Sequence, residues 1–394
     1  MKRQTRRDDS AESAYKAMGS LFFSCVRIEF SGRHNAMYGQ KDLFRHMVAM
    51  RGKHGYAEGS SHAEDVDRNS PLLPSGRWTL GKIRSIPEDA MLAGCSRMIA
   101  RSVKRLRRHG LLRGPVDIAI DFHDVCRYDE DPDMKFMRYS KHKNGTHLFN
   151  TLASVHCVTE GARACLGVMV RTRDVFPADA VAALLDMCGN NGIQIRTLLL
   201  DREFYSAEIM NLLEWRGINW LMPAVKTDTV KRAVSEFEGG KRGAVSVHSV
   251  GSGLRAQFTL IVRPAEDGND ASETATGSRE GEGESAYHVF ATNVSPDIVA
   301  SDPDRFVEMY RRRWGIETAF RCYEQVRPRT TSRNESVRLL LLFFPMLLYN
   351  AWILARHLFC RDGGSRTLIT LKIFSRYLDA LTRESVRRTR PDPG

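Results

Sequence analysis

The sequence lacks any paired arrangement of cysteine. Its eight cysteines are scattered over 394 residues and never form a Cys-x-x-Cys pair, so neither a zinc site nor a disulfide framework is indicated. We expect reduced thiols inside a cytoplasmic protein. The first residues mix acids and bases before a short apolar stretch, which is a poor signal peptide.

The sequence also has little uninterrupted apolar sequence. The longest such stretch, Leu339 to Leu354, is shorter than the roughly 20 apolar residues that span a bilayer, and Pro345 interrupts it. It predicts a buried helix rather than a membrane segment, and we expect no membrane partner. No internal repeat is visible, and neither Ser206 nor any cysteine has a paired base at a recognisable spacing. Covalent nucleophilic catalysis is therefore not supported.

Positive charge is abundant. Lys and Arg number 59 against 47 Asp and Glu, which gives a net charge of +12. A basic chain of this size often binds a polyanion, and nucleic acid is the commonest one. The alternative is ordinary solubility charge. Hydrophobic residues make up 42% of the chain, enough for a sizeable core and two or three domains.

The N-terminal region, residues 1–112, is predicted to be mainly helical, with a loop or linker from Arg51 to Pro74 and a helix from Pro87 to Leu112. Basic residues in this helix recur at steps of three and four, so they share one face. Such a stripe suits a DNA backbone, and the alternative is a solvated surface. The stripe comprises Arg97, Arg101, Lys104, Arg105 and Arg108.

Residues 113–225 have the pattern of a mixed α/β sheet, with the order β-β-β-α-β-α-β. Strands are predicted at 116–121, in a 134–158 hairpin that turns at Asn144-Gly145, at 195–201 and at 218–225; helices are predicted at 178–188 and 206–216. Residues 226–300 interrupt this pattern as a β-rich insertion with a flexible acidic loop at 265–285. In 301–394, helices are predicted at 304–326 and 335–359.

Two of the apolar strands each end in an acid, Asp121 and Asp201. A buried acid at a strand end needs a partner, and a divalent cation is one such partner. Carboxylate oxygens select Mg²⁺ or Mn²⁺. Taken singly, each acid is more often a turn or cap residue, and Asp124 is an alternative to Asp121.

A third acid comes from the helix predicted at 304–326. At 100° per residue, Tyr310, Arg313 and Glu317 share one face over two turns. Glu317 would complete a metal site, Arg313 would hold a phosphate, and Tyr310 would orient a neighbour by a hydrogen bond. The alternative is a surface helix with an ion pair between Glu317 and Arg321.

These motifs together resemble one class of insertion-sequence DDE transposases. The spacing Tyr310-(2)-Arg313-(3)-Glu317 is similar to that family's Tyr-(2)-Arg-(3)-Glu-(6)-Lys signature. IAIDFHD (118–124) and LLLDREFYS (198–206) resemble its two Asp segments, and the insertion lies between the second Asp and the Glu, as in that family. The resemblance covers roughly residues 115 to 360.

The resemblance implies a ribonuclease-H-like fold in which Asp121, Asp201 and Glu317 hold two Mg²⁺ ions, with Mn²⁺ as a substitute. Asp121 would bridge both ions. The implied activity is cleavage of DNA at transposon ends followed by strand transfer into target DNA. The partners would be double-stranded terminal repeats and target DNA, bound by a homodimer at the nucleoid of a prokaryote.

The resemblance also implies DNA contacts by Arg202, Arg313 and Tyr310 near the scissile phosphate. The signature Lys falls on Glu324, and Arg321 on the same helical face is a candidate substitute. Core packing is expected for the local tryptophans, Trp215, Trp220 and Trp314. Two alternatives share these motifs: a nuclease of the same fold that does not join strands, and an inactive transposase-derived DNA-binding protein.

Overall fold

The computed structural model describes residues 19–20, 22–29, 38–50, 56–57, 73–128, 135–241, 243–265, 287–359 and 369–378. Most of the linker expected at 51–74, and the acidic loop expected at 265–285 apart from residue 265, lie outside these residues.

Helices α1 (Gln40–Met50), α2 (Gly76–Arg84) and α3 (Glu88–Arg108) precede the sheet in the described part of the chain. The helix predicted between Pro87 and Leu112 is α3. It forms because apolar residues such as Met91, Met98 and Leu106 recur along one face, and that face is buried against the last long helix of the chain.

The central sheet is built by six strands with two helices between them. The strands are β1 (Val116–Arg127), β2 (Arg138–Lys143), β3 (Thr146–Cys157), β4 (Ala164–Arg171), β5 (Ile195–Leu199) and β6 (Trp220–Pro223); the helices are α4 (Pro177–Asn190) and α5 (Ala207–Trp215). The main order is β4-β3-β1-β5-β6, in which β3 lies antiparallel to both β1 and β4, and β5 and β6 run parallel to β1.

The β2–β3 hairpin turns where the sequence predicts it. Asn144 and Gly145 both have positive φ, at 51° and 81°, which a tight hairpin turn requires. The strand β4 was not predicted. Its sequence, ACLGVMVR, is a short apolar run that periodicity alone does not separate from a loop or a buried helix.

The insertion extends the same sheet. After α6 (Asp228–Glu238), strands β7 (Val245–Val250), β8 (Ala256–Pro264) and β9 (Tyr287–Thr292) continue it in the order β6-β9-β8-β7, all antiparallel. The β-rich prediction therefore missed one helix, α6. That helix buries only Val230 and Ala233 fully, which explains its weak apolar signal.

The helices that follow the sheet are α7 (Pro296–Ser301), α8 (Asp304–Arg311), α9 (Trp314–Val326) and α10 (Glu335–Phe359), and residues 371–378 are also helical. The prediction of one continuous helix over 304–326 is wrong. At Arg312 and Arg313 the chain tightens, and Gly315 and Ile316 donate to carbonyls three residues back, both at 2.9 Å.

Helix α10 contains the long apolar stretch. Among the described residues it is the one helix long and apolar enough to cross a membrane, with a mean hydropathy of 1.8, yet 94% of its apolar window is buried inside the protein. It packs against α2, α3, α9 and β4. The prediction that this stretch forms a buried helix is therefore confirmed.

Candidate active site

Strand β1 places Asp121 at the centre of the candidate site. Its side chain is 14% exposed and accepts a hydrogen bond from the Phe122 backbone N–H at 2.8 Å. Burial raises the pKa of Asp121 to about 8, and the charges of Glu203 and Asp201 add to the rise, while Arg313 opposes it. The positive charge around Asp121 is therefore too small to offset the effects of its burial and of the nearby acids on its pKa.

Asp201 lies beside Asp121 because of the strand register. The parallel pairing of β1 with β5 matches Ala119 with Leu199, and two further residues along each strand lead to Asp121 and Asp201. Asp201 begins a single 3₁₀ turn (Arg202–Phe204) and accepts the Arg202 N–H at 2.6 Å. Phe204 of that turn packs on Phe122, with ring centroids 4.8 Å apart. The two strand-end acids therefore face one region.

Arg313 connects the helical acid to the sheet. Its Nη2 lies 2.5 Å from Glu317 Oε1, and its Nη1 lies 3.5 Å from Asp121 Oδ2. Burial opposes its charge, yet the acidic groups around it, Tyr310 first among them, raise the pKa of Arg313 above its ordinary value. The tight turn between α8 and α9 places this guanidinium between the two carboxylates.

Tyr310 is buried and packs next to the Arg313 guanidinium. It is 4% exposed and packs on Phe290 of β9, with ring centroids 4.9 Å apart, while the Arg313 guanidinium lies 5.6 Å from its ring centroid. Burial raises the pKa of Tyr310 above its ordinary value. The phenol therefore lies inside the protein beside Arg313, and its role in orienting a neighbour stays a prediction.

A further acid, Glu203, was missed by the sequence analysis. It lies on the open side of the site, where desolvation of its carboxyl and then the charge of Asp201 raise its pKa to about 7. Arg171 and Arg138 lie near it and oppose this rise. The segment LLLDREF contained the signal, because Glu203 follows Asp201 by two residues in the same short turn.

Asp124, the alternative to Asp121, has a different partner. Its Oδ1 accepts a hydrogen bond from the Thr151 hydroxyl of β3 at 2.5 Å. Asp121, in contrast, lies within reach of the Arg313 guanidinium. The arrangement therefore favours Asp121 over Asp124 as the acid that works with Glu317.

Glu324 stands where the signature has Lys, and it has two basic partners. Its carboxylate lies 3.4 Å from His123 Nε2 and 2.8 Å from Arg327 Nη2. Burial opposes ionisation, but these two partners hold the pKa of Glu324 below its ordinary value. Arg321 is exposed on the same helix, one turn from Glu317.

The remaining predicted DNA contacts differ in exposure. Arg202 is exposed beside Asp201, and in the α3 stripe Arg97, Lys104 and Arg108 are exposed. Two other members of the stripe instead contact the segment 22–29: Arg101 donates to the Arg27 carbonyl at 3.2 Å, and Arg105 donates to the Ser24 hydroxyl. Three members of the stripe thus face solvent.

The tryptophans also differ. Trp220 is 1% exposed on β6, as core packing predicts, and Trp314 is partly buried. The same prediction is wrong for Trp215, which is 81% exposed at the end of α5. The final turn of an amphipathic helix has a solvent-facing side, and Trp215 falls on it.

The chemistry of these donors suits a hard divalent cation, since Asp121, Asp201 and Glu203 bring carboxyl oxygens to one region. The distances between these carboxyl groups are longer than those in a metal site. In the part of the chain that the structure describes, no three His, Cys, Asp or Glu side chains are grouped closely enough to hold a metal ion. Glu317 is engaged by Arg313 instead. The donor types fit, and Glu317 must exchange partners for a three-acid site to form.

Comparison with solved structures identifies a transposase-like fold. The chain is similar to a chain in the cryo-EM structure of the piggyBac transposase synaptic complex with hairpin DNA, at 11% identity and a TM-score of 0.60. The match covers 96% of this chain and 82% of that one. The mixed sheet flanked by helices is thus a ribonuclease-H-like transposase fold.

Comparison by sequence gives the family. No curated protein matches the chain. The family model described as "Transposase DDE domain" matches residues 113–351, the region that contains β1, β5 and α9. Because this match spans more than half of the sequence, the chain belongs to the transposase DDE domain family.

Proposed function

We propose that this protein is a DNA transposase that cleaves transposon ends and transfers the freed strands into target DNA. The observation that carries the proposal is the position of Arg313, a buried guanidinium between Asp121 and Glu317. It brings the first strand acid and the helical acid to one place, beside Asp201. Family membership supplies the reaction class, and the Tyr310, Arg313, Glu317 spacing favours the insertion-sequence class.

We assign the metal ligands to Asp121, Asp201 and Glu317, with Mg²⁺ or Mn²⁺ as the ions. Two such ions would supply Lewis-acid activation of the attacking group and charge stabilisation at the leaving oxygen. Asp121 must lose its proton for this role, because a carboxylate binds a metal only when ionised.

Arg313 has donors available for a phosphate. Its Nε and Nη1 are buried and have no hydrogen-bond acceptor among the described residues. Buried donors of this kind are costly unless a partner arrives. A scissile phosphate would bind side-on through Nε and Nη2 once Glu317 leaves Nη2, since a guanidinium binds phosphate through two parallel N–H groups. Releasing Glu317 from Arg313 would at the same time free the third carboxylate. Arg202 would contact the same strand from the exposed side.

The partner we propose is double-stranded DNA, held by a homodimer that joins two transposon ends. The solved structure similar to this chain is a synaptic complex with hairpin DNA, and synapsis requires two ends to be held together. The net charge of +12 and the exposed residues of α3 suit a DNA backbone.

The test uses Glu317→Gln, which keeps the size of the side chain and removes its charge. A plasmid carrying the DNA that flanks the gene would be incubated with Mg²⁺ and protein. We expect the variant to lose cleavage by about 10³-fold or more, since metal-held charge stabilisation supplies several kcal/mol. DNA binding should persist. Cleavage at the wild-type rate by the variant would refute the site assignment.

The two alternatives give different results in the same assay. A nuclease would cut the plasmid but would not join a pre-cleaved 3′-OH end to a second plasmid. An inactive DNA-binding protein would retard the DNA without cutting it, and the wild-type protein would then behave like the Glu317→Gln variant.

A further inference from the structure

A pocket outside the candidate active site lies between the N-terminal helices and the segment 327–334 that joins α9 to α10. Its cavity measures about 590 Å³, within the range of ligand pockets. Met50 of α1 and Leu80 of α2 form part of its apolar wall. Arg84, Arg329 and Arg333 also line it, so the pocket combines an apolar wall with guanidinium groups.

Among the residues that the structure describes, the lining contains three arginines and no carboxylate. All three are exposed, and none makes an ion pair with an acid in the described ranges. The acid that follows the segment, Glu335, is buried and lies 2.5 Å from Arg127 at the end of β1. The described part of the wall therefore does not neutralise the positive charge of the pocket, and an anion is the ligand that it would attract.

The segment 327–334 is already held in shape. The Ser332 backbone N–H donates to the Thr330 hydroxyl at 3.0 Å, the Asn334 N–H donates to the Ser332 hydroxyl at 3.3 Å, and Arg338 donates to the Ser332 carbonyl at 2.8 Å. A ligand entering the pocket would meet arginines on an ordered backbone, and less entropy would be lost on binding.

Helix α9 joins the candidate active site to the pocket segment along the chain. Helix α9 begins beside Arg313 and runs from Glu317 to Val326 over about 14 Å, at roughly 1.5 Å per residue. The pocket segment follows directly. At roughly 3.4 Å per base pair, this length corresponds to about four base pairs of duplex. The exposed Arg321 lies on the same helix, between the site and the pocket.

We propose that the pocket formed by Arg84, Arg329 and Arg333 binds backbone phosphates of the DNA whose scissile bond lies at Asp121 and Glu317. This inference rests on the proposed function for the identity of the ligand. The pocket positions the duplex about four base pairs from the reacting bond and takes no part in the chemistry.

The experiment measures DNA affinity against salt concentration by fluorescence anisotropy, with a labelled duplex from the flank of the gene. The test variant is Arg329→Ala with Arg333→Ala, and the matched control is Lys231→Ala with Arg232→Ala on the exposed face of α6. We expect the test variant to lower the slope of log affinity against log salt by about 2, because each lost phosphate contact removes about 0.9. The control should keep the wild-type slope.

Thermal melting of both variants would check folding, and all the altered side chains are exposed. Unchanged affinity and slope in the test variant would overturn the inference. So would a result in which inorganic phosphate raises the melting temperature of the wild type but not of the variant while DNA binding is equal, because the pocket would then hold a small anion. If the wild type never cleaves DNA but the variant loses slope, the pocket stands and the proposed function fails.

Discussion

Strand β1 carries two acids four residues apart, Asp117 and Asp121, and they differ in how much positive charge surrounds them. Asp117 is fully buried and is bound by two guanidiniums: Arg196 at 2.5 and 2.7 Å, and Arg312 at 2.8 Å. Asp121 has one guanidinium, Arg313, at 3.5 Å, and other acids nearby. The first acid is neutralised by its surroundings, and the second is not.

This difference separates an acid whose charge is compensated within the fold from the acid that we propose as a metal ligand. Consecutive residues of the turn between α8 and α9 serve the two acids, since Arg312 binds Asp117 and Arg313 reaches Asp121. The ion pairs at Asp117 therefore fix the turn against the sheet, and fixing the turn positions Arg313. Asp117, whose charge is compensated, thus helps to position the guanidinium next to Asp121, because Arg312 and Arg313 are neighbours in the chain.

The largest expected effect on stability comes from Asp117→Asn. The change leaves two guanidiniums without their carboxylate, and breaking buried pairs costs about 3–5 kcal/mol. Because Arg196 and Arg312 are nearly half exposed, we expect a smaller loss in the free energy of unfolding, about 2–3 kcal/mol. Urea unfolding at pH 7 in EDTA would measure it.

The matched variant is Asp121→Asn, which should not destabilise the protein under the same conditions. A raised pKa in the folded protein means that ionising Asp121 opposes folding. Wild-type stability relative to this variant should therefore fall as the pH rises from about 4, the ordinary value, towards 8. If Asp121→Asn destabilised the protein as much as Asp117→Asn does, the contrast between the two acids would be wrong.

The sequence predicted only part of this contrast between Asp117 and Asp121. Apolar runs ending in Asp121 and Asp201 predicted two strands, and the spacing from Tyr310 to Glu317 predicted a shared helical face. Asp117 gave no signal, because its partners Arg196 and Arg312 are 79 and 195 residues away along the chain. Long-range pairing of this kind is a property of the folded chain alone.

The break between α8 and α9 was not predicted for a related reason. The sequence across Arg312 and Arg313 favours a continuous helix, and both residues keep helical backbone angles. The chain tightens where Arg312 binds Asp117 and Arg313 is held between Asp121 and Glu317. Strand β4 and Glu203 were missed because a short apolar run and one more acid in an acid-containing turn are common patterns.

The next largest expected effect concerns metal binding at Asp121, which Asp117 does not take part in. The pKa of Asp121, about 8, implies that a proton must leave when Mg²⁺ binds at lower pH. We expect the apparent affinity for Mg²⁺ to rise by up to about tenfold per pH unit between pH 6 and 8. Titration calorimetry at three pH values would show it, with Asp186→Asn, at an exposed acid paired with Arg216, as a control that keeps the slope. Binding independent of pH would mean that Asp121 is ionised before the metal arrives.

The smallest effect concerns Glu324, an acid that is only partly compensated and is 44% exposed. Glu324→Lys removes its contacts with His123 and Arg327. Exposed ion pairs contribute at most about 1 kcal/mol, so the melting curve should hardly change. If the side chain lies along the DNA, the new Lys adds one phosphate contact, and the salt slope of DNA binding should steepen by about 0.9. Glu208→Lys on α5 makes the same charge change elsewhere and should leave the slope as it is. Equal slopes for both variants would place Glu324 off the DNA path and leave Arg321 without a role as a substitute for the signature Lys.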